Sequence, residues 1–254
     1  MVHLLELFSG TGSVGKQAKK LGWTVTSVDM DPHANPTIVK NILELKYEKG
    51  EEITKTPDVI WASPPCQTYS LAATWVRHRS PKTAKAWSPD AKMGDKILRR
   101  TVEIIQYWLK ENEKNNKKLT FVIENPRGYM RLMPELRNFY RTTTSYNQYG
   151  WPIVKPTDFW SNVDLKLKPP KNNKSLGKPQ MLVGRDSRVT KALLRKSKSA
   201  SEVSNKSKLT SALYQIPPKL VVSILTQLRP THNSILKPFK PTSKRMIRKH
   251  FYPQ

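Results

Sequence analysis

Four short apolar runs punctuate the first half of the chain, each closed by small, acidic or proline residues. Residues 2–8 (VHLLELF) end at Ser9-Gly10, and residues 24–28 (TVTSV) end at Asp29. Residues 58–62 (DVIWA) end at Ser63-Pro64-Pro65, and residues 120–123 (TFVI) end at Glu124-Asn125-Pro126. Runs this short, bounded by turn residues, read as strands buried on both faces of a parallel sheet. Helical spacing lies between them. Residues 12–21 stop near Gly22, and residues 134–139 suggest a short helix. Residues 92–112 gather Ile97, Val102, Ile104, Ile105, Trp108 and Leu109 on one face. Strands alternating with helices predict an α/β fold with a doubly wound, mostly parallel sheet.

Beyond Trp160 the texture changes. Residues 165–211 are rich in Lys, Ser and Asn, with few large apolar side chains, so part of this stretch is expected to order only on a partner. Residues 217–228 (PPKLVVSILTQL) regain a helical period, with proline at the start. Residues 229–254 are rich in Pro, Lys and Arg. The expected organisation is a folded unit at 1–164, a small basic region at 165–212, a helix returning to the unit at 213–228, and a basic tail at 229–254.

Composition narrows the function. No apolar run is long enough to span a membrane, and the N-terminus enters a strand at once rather than a leader peptide. A single cysteine makes no internal disulfide, which suits an intracellular protein. The formal net charge is +26 and is unevenly spread. From residue 165 onward, 21 Lys and Arg face two acids, Asp186 and Glu202. Such a balance points to a polyanion, because each phosphate neutralised releases condensed counterions.

The chemistry sits at the strand ends, where open α/β sheets bind ligands. Phe8-Ser9-Gly10-Thr11-Gly12 follows the first strand and opens a helix, so backbone can pass close to a ligand. Glycine turns in this position are common in any sheet. Asp29 is placed to accept ribose hydroxyls, or is a cap or surface acid. Asn41-Ile42 either flanks an adenine ring or is a plain loop. Ser63-Pro64-Pro65-Cys66-Gln67 holds the one cysteine in a stiff turn at the ligand edge, which favours a nucleophile over an inert buried thiol. Glu124 offers a carboxyl at the end of the fourth run. Together these two groups suit cytosine. A thiolate adding at C6 makes C5 nucleophilic, and a carboxylic acid at N3 eases the addition. Glu124 then needs a raised pKa, and Cys66 a lowered one or a proton lost during attack.

LFSGTGSVG, SPPCQTYS and VIENP, in this order and spacing, resemble the cofactor, nucleophile and glutamate motifs of the cytosine-C5 DNA methyltransferases. The resemblance runs from residue 4 to residue 160 and again over 214–228. It implies a class I, Rossmann-like, S-adenosylmethionine-dependent methyltransferase that releases S-adenosylhomocysteine and uses no metal. It implies Phe8, Ser9, Gly10, Thr11, Gly12, Asp29, Met30, Asn41, Ile42 and Pro64 around the cofactor. It implies Cys66 as nucleophile and Glu124 as the N3 partner, with Pro65, Gln67 and Asn125 shaping their loops. The stretch 147–158 (NQYGWPIVKPTD) resembles a variant of the next motif. Lys155 and Thr157 stand there where the family usually has two arginines, and Lys155 keeps part of the role. The Lys-Pro-Thr-Asp version is similar to small phage- and virus-encoded members, which would act in the host nucleus or cytoplasm.

A C5 methyltransferase must flip its base out of the helix. Residues 70–89 are expected to form a mobile loop closing over duplex DNA, with Arg77, Arg79, Lys82 and Lys85 as contacts. Residues 166–208 would be a reduced target-recognition region, with Arg185, Arg188, Arg195 and Lys196 reaching phosphates or bases. The expected state is a monomer. Two rivals remain: a tRNA-acting cytosine-C5 methyltransferase, and a DNA-binding homologue of weak activity.

Overall fold

The structure is a computed structural model that describes residues 1–70, 78–151, 154–170 and 215–230. Seven strands form one sheet in the order β3-β2-β1-β4-β5-β7-β6. β1 (His3–Leu7), β2 (Thr24–Asp29), β3 (Ile38–Val39), β4 (Val59–Ala62) and β5 (Thr120–Pro126) run parallel. β6 (Tyr140–Ser145) and β7 (Pro156–Ser161) close the far side, with β7 antiparallel to both neighbours.

The central strands are buried end to end because helices cover both faces. Leu5 and Leu7 of β1, Ile60 of β4 and Phe121 of β5 point into the core beneath α2 (Pro89–Lys114). Their alternate neighbours Leu4, Val59, Trp61 and Val122 pack beneath α1 (Ser13–Lys20) and α3 (Pro218–Leu228). The period of two along each strand thus serves two cores. Ser88 caps α2 by accepting the Ala91 N–H at 3.1 Å, and Pro89 begins the helix. α3 buries Leu220, Val221, Ile224, Leu225 and Leu228 and returns the chain to α1. Leu165 is buried in the same core, and Lys166 N–H donates to Gln227 of α3 at 2.7 Å.

The sheet is doubly wound, as the alternating pattern predicts. The helix expected at 134–139 is only a 3₁₀ turn, Pro134–Leu136. β6 and β7 carry no apolar run that marks them beforehand. Residues 140–145 (YRTTTS) form an edge strand, and residues 156–161 begin with proline. The target-recognition region from residue 171, with Arg185, Arg188, Arg195 and Lys196, lies outside the described residues, as do Arg77 and the tail from 231.

One expected DNA contact is corrected. Arg79 is 2% exposed. Its Nη1 meets Asp95 Oδ1 of α2 at 2.8 Å, and its remaining donors reach Thr68 O, Thr68 Oγ1, Ala84 O and Ala91 O. Its guanidinium also lies 3.9 Å from the Tyr69 ring centroid. With every donor satisfied indoors, it is a clip between the nucleophile loop and α2. Lys82 and Lys85 are exposed beside it.

Candidate active site

An open cleft of about 300 Å³ lies beyond the carboxyl ends of β1, β2, β4 and β5. It is built by loops that the strand ends set in place. After β1 the backbone turns sharply through Phe8, a bulky residue at φ 61. A non-glycine residue there is strained, and such strain collects at ligand sites. Gly12, at φ 65, starts α1 in the left-handed region, with its N–H bonded to Ser9 O at 2.8 Å.

Phe8, Ser9, Gly10, Thr11, Asp29, Met30, Asn41, Ile42 and Pro64 line this cleft. Gly12 does not; it borders a smaller recess behind the loop. Asp29 Oδ2 accepts the Gly10 N–H at 2.7 Å, and Oδ1 accepts the Asp31 N–H at 2.9 Å. Asn41 Oδ1 accepts the Leu43 N–H at 3.1 Å, so its amide nitrogen is the donor left for a ligand. Several lining residues were not anticipated: Glu6, Ser63, Lys40 and Ile216. Glu6 had a signal, an acid inside an apolar strand. Ile216 lies in the stretch 214–228 that the resemblance covers, but no chemistry there marked it for the cleft; α3 brings it from the other end of the chain, and its N–H reaches Ser13 Oγ at 3.5 Å.

Cys66, Pro65, Gln67, Glu124 and Lys155 line the same cleft. Asn125 does not. It is fully buried, and its Nδ2 donates to Pro64 O at 2.9 Å, tying β5 to the nucleophile loop. The loop's far end is held as well. Tyr129 N–H donates to Tyr69 O at 2.8 Å, and a Cβ at Gly128 would stand 2.1 Å from that oxygen, so only glycine fits. β7 pairs antiparallel with β5, setting Phe159 opposite Glu124 and Thr157 opposite Pro126. That register carries Lys155, just before β7, to the cleft.

The electrostatics are coupled. Burial pushes the Glu124 carboxyl up; Lys155 and the hydroxyls of Ser63 and Tyr146 oppose this. Burial also pushes the Cys66 thiol up; Lys155 opposes it, and Glu124 adds to it. Lys155 is thus the cation that both groups share. Among the described residues no three His, Cys, Asp or Glu side chains converge as a metal site.

The sequence is similar to those of known proteins. The profile of the C-5 cytosine-specific DNA methylase family matches residues 2–82. A probable DNA (cytosine-5)-methyltransferase of Frog virus 3 (isolate Goorha) is 31% identical over 166 residues, covering 64% of this chain and 72% of that protein. The chain belongs to the C-5 cytosine-specific DNA methylase family. That places it among DNA (cytosine-5)-methyltransferases, which use S-adenosylmethionine. Two solved structures lie further off. Entamoeba histolytica methyltransferase EhMeth has a TM-score of 0.46 at 16% identity, over 69% of this chain and 58% of that one. Spodoptera frugiperda DNMT2 has a TM-score of 0.43 at 17% identity, over 94% and 86%. The chain thus spans less than two thirds of EhMeth's length.

Proposed function

We propose that this methyltransferase acts on cytosine in double-stranded DNA through a covalent adduct between Cys66 and C6. The observation that carries the reading is one cleft lined by Phe8, Ser9, Asp29, Cys66, Glu124 and Lys155. The cofactor end fits S-adenosylmethionine. The Ser9 hydroxyl is buried without a partner, and nothing lies within 4 Å of a Cβ built at Gly10, so backbone is open to a ligand. Phe8 and Ile42 offer apolar contact for the adenine, Asp29 takes ribose hydroxyls, and Ser9 and Gly10 meet polar groups of the methionine part. When bound there, the cofactor supplies an electrophilic methyl group to C5.

The chain's own residues do the rest. Cys66 gives up its proton to water in the open cleft, Lys155 favouring the thiolate, and Sγ forms a bond to C6. The C5–C6 π pair moves toward C5 and the ring, while the Glu124 proton passes to N3. Burial keeps Glu124 protonated closer to neutral pH than an ordinary carboxyl, as an N3 donor requires. After C5 carries the methyl group, water takes the C5 proton and the freed pair re-forms the C5–C6 double bond. The C6–Sγ bond breaks with its pair returning to sulfur as the thiolate, and the N3 proton returns to Glu124. Pro65 fixes the loop, and Gln67 lies exposed at its rim.

The test is methyl transfer from labelled S-adenosylmethionine to duplex DNA, with tRNA as competitor. Label should appear as 5-methylcytosine in DNA, and Cys66→Ala should abolish it. Label confined to tRNA would replace the DNA substrate by RNA; no label in either would remove the enzymatic reading.

A further inference from the structure

Glu124 is 6% exposed, at the wall of the cleft, and its side-chain hydrogen-bond partners are uncharged hydroxyls. Tyr146 Oη donates to its Oε1 at 3.2 Å. The Ser63 hydroxyl is its other side-chain hydrogen-bond partner, and Ser63 Oγ in turn accepts from Trp61 Nε1 at 3.0 Å. Tyr146 itself is completely buried in the core beneath α1 and α3. Its ring cannot wander: the backbone N–H bonds Lys155 O at 3.3 Å, and the backbone O accepts Trp151 N–H at 3.3 Å. The Thr157 hydroxyl reaches its phenol, and Lys155 Nζ stands 4.9 Å from its ring centroid.

We propose that Tyr146 is a positioning residue for Glu124, fixing through its hydroxyl which carboxyl oxygen delivers the proton to the base. The inference rests on the N3-donor reading of Glu124. Because Oε1 accepts the phenol's proton, the phenol biases the carboxyl proton toward Oε2. A cation in hydrogen-bond contact would orient the carboxyl equally well but would hold it ionised; a neutral hydroxyl orients it and leaves it able to carry a proton. Burial keeps the Tyr146 phenol un-ionised throughout any working range, so the donor is constant. Lys155, 4.9 Å from the centroid of the same ring, lends charge to Cys66 and Glu124.

The experiment is Tyr146→Phe, which keeps the ring and deletes the hydroxyl. Removing a hydrogen bond to a carboxylate raises its pKa, so the basic limb of the kcat–pH profile should move upward. A kcat loss of about tenfold is expected, with KM for DNA and for S-adenosylmethionine unchanged. A purely structural residue would lower activity without moving that limb. If Tyr146→Phe fails to fold by circular dichroism, Thr157→Val, which removes the phenol's own partner, is read for the same limb. Wild-type kcat and an unmoved limb in the folded variant overturn the inference. Absence of a Cys66-dependent adduct on 5-fluorocytosine DNA in the wild type overturns the N3-donor reading instead.

Discussion

Glu6 is a carboxyl in the middle of a strand whose other residues are apolar or capped. It is 2% exposed, and its Oε2 accepts the Gly15 N–H at 3.0 Å, which ties the start of α1 to β1. Burial raises its pKa from 4.5 to about 7 against these bonds. A folded-state pKa above the unfolded one adds stability that is complete below the unfolded value and lost as pH rises through the folded value. The stability gap between wild type and Glu6→Gln, from urea unfolding, should therefore fall by roughly 3 kcal/mol between pH 4.5 and 7. A gap constant with pH contradicts this. The same reasoning applies to Lys155. Lys155→Met removes the charge that opposes burial at Cys66, so the thiol pKa rises. Iodoacetamide alkylation at neutral pH should slow, on the order of tenfold for each unit of rise. Unchanged alkylation would separate Lys155 from the nucleophile. Glu124 and Asp29 were legible because each closes an apolar run, and Cys66 because it follows one across a stiff Pro64-Pro65 turn. Tyr146 was not: it follows a run of threonines and a serine, and only the pairing of β6 with β7 and of β7 with β5 brings it to Glu124.

Arg79 shows what an element does to a residue's meaning. Between Trp75 and Trp87, in a run of basic residues, it reads as a DNA contact. Folded, it joins Thr68 and Tyr69 to the first turns of α2, and Tyr69 Oη donates to the same Asp95 oxygen at 2.8 Å. Its side chain is 0% exposed and that of Asp95 8%, so Arg79→Met leaves a carboxylate buried without its cation. The expected loss is about 3–5 kcal/mol in chemical unfolding. Exposed Lys82 and Lys85 keep the DNA-binding expectation. Lys82→Ala and Lys85→Ala should leave stability alone and lower the slope of log K against log salt by roughly 0.9 for each phosphate no longer neutralised. A lower slope for Arg79→Met with intact stability would reverse the assignment. β1, β2, β4, β5 and α2 were legible because each is an apolar run or an apolar face; β3, only Ile38–Val39, is too short to leave such a pattern. β6 and β7 were not: β6 is a partly exposed edge strand rich in threonine, and β7 opens on proline and buries the polar Thr157 and Asp158. Asp158 is held by Arg131 Nε at 2.5 Å and by Thr143 Oγ1 at 2.7 Å, and no periodicity reveals either bond.

At the scale of the whole molecule, a folded sheet carries the chemistry, and the excess positive charge lies mostly beyond residue 165. Fold class and the order of the motifs were legible because both depend on local runs. A helix over 213–228 returning to the folded unit was expected; that it packs on α1 and brings Ile216 to the cleft depends on packing across most of the chain, which no local run shows. All parts converge on one claim, that Cys66 joins a flipped cytosine covalently. The direct test is intact mass after incubation with a duplex containing 5-fluorocytosine and S-adenosylmethionine, in denaturant. Fluorine at C5 cannot leave as a proton does, so a stable product of protein plus DNA plus one methyl group is expected, with Cys66→Ala giving none. No adduct in the wild type, or an adduct that survives Cys66→Ala, would contradict the mechanism.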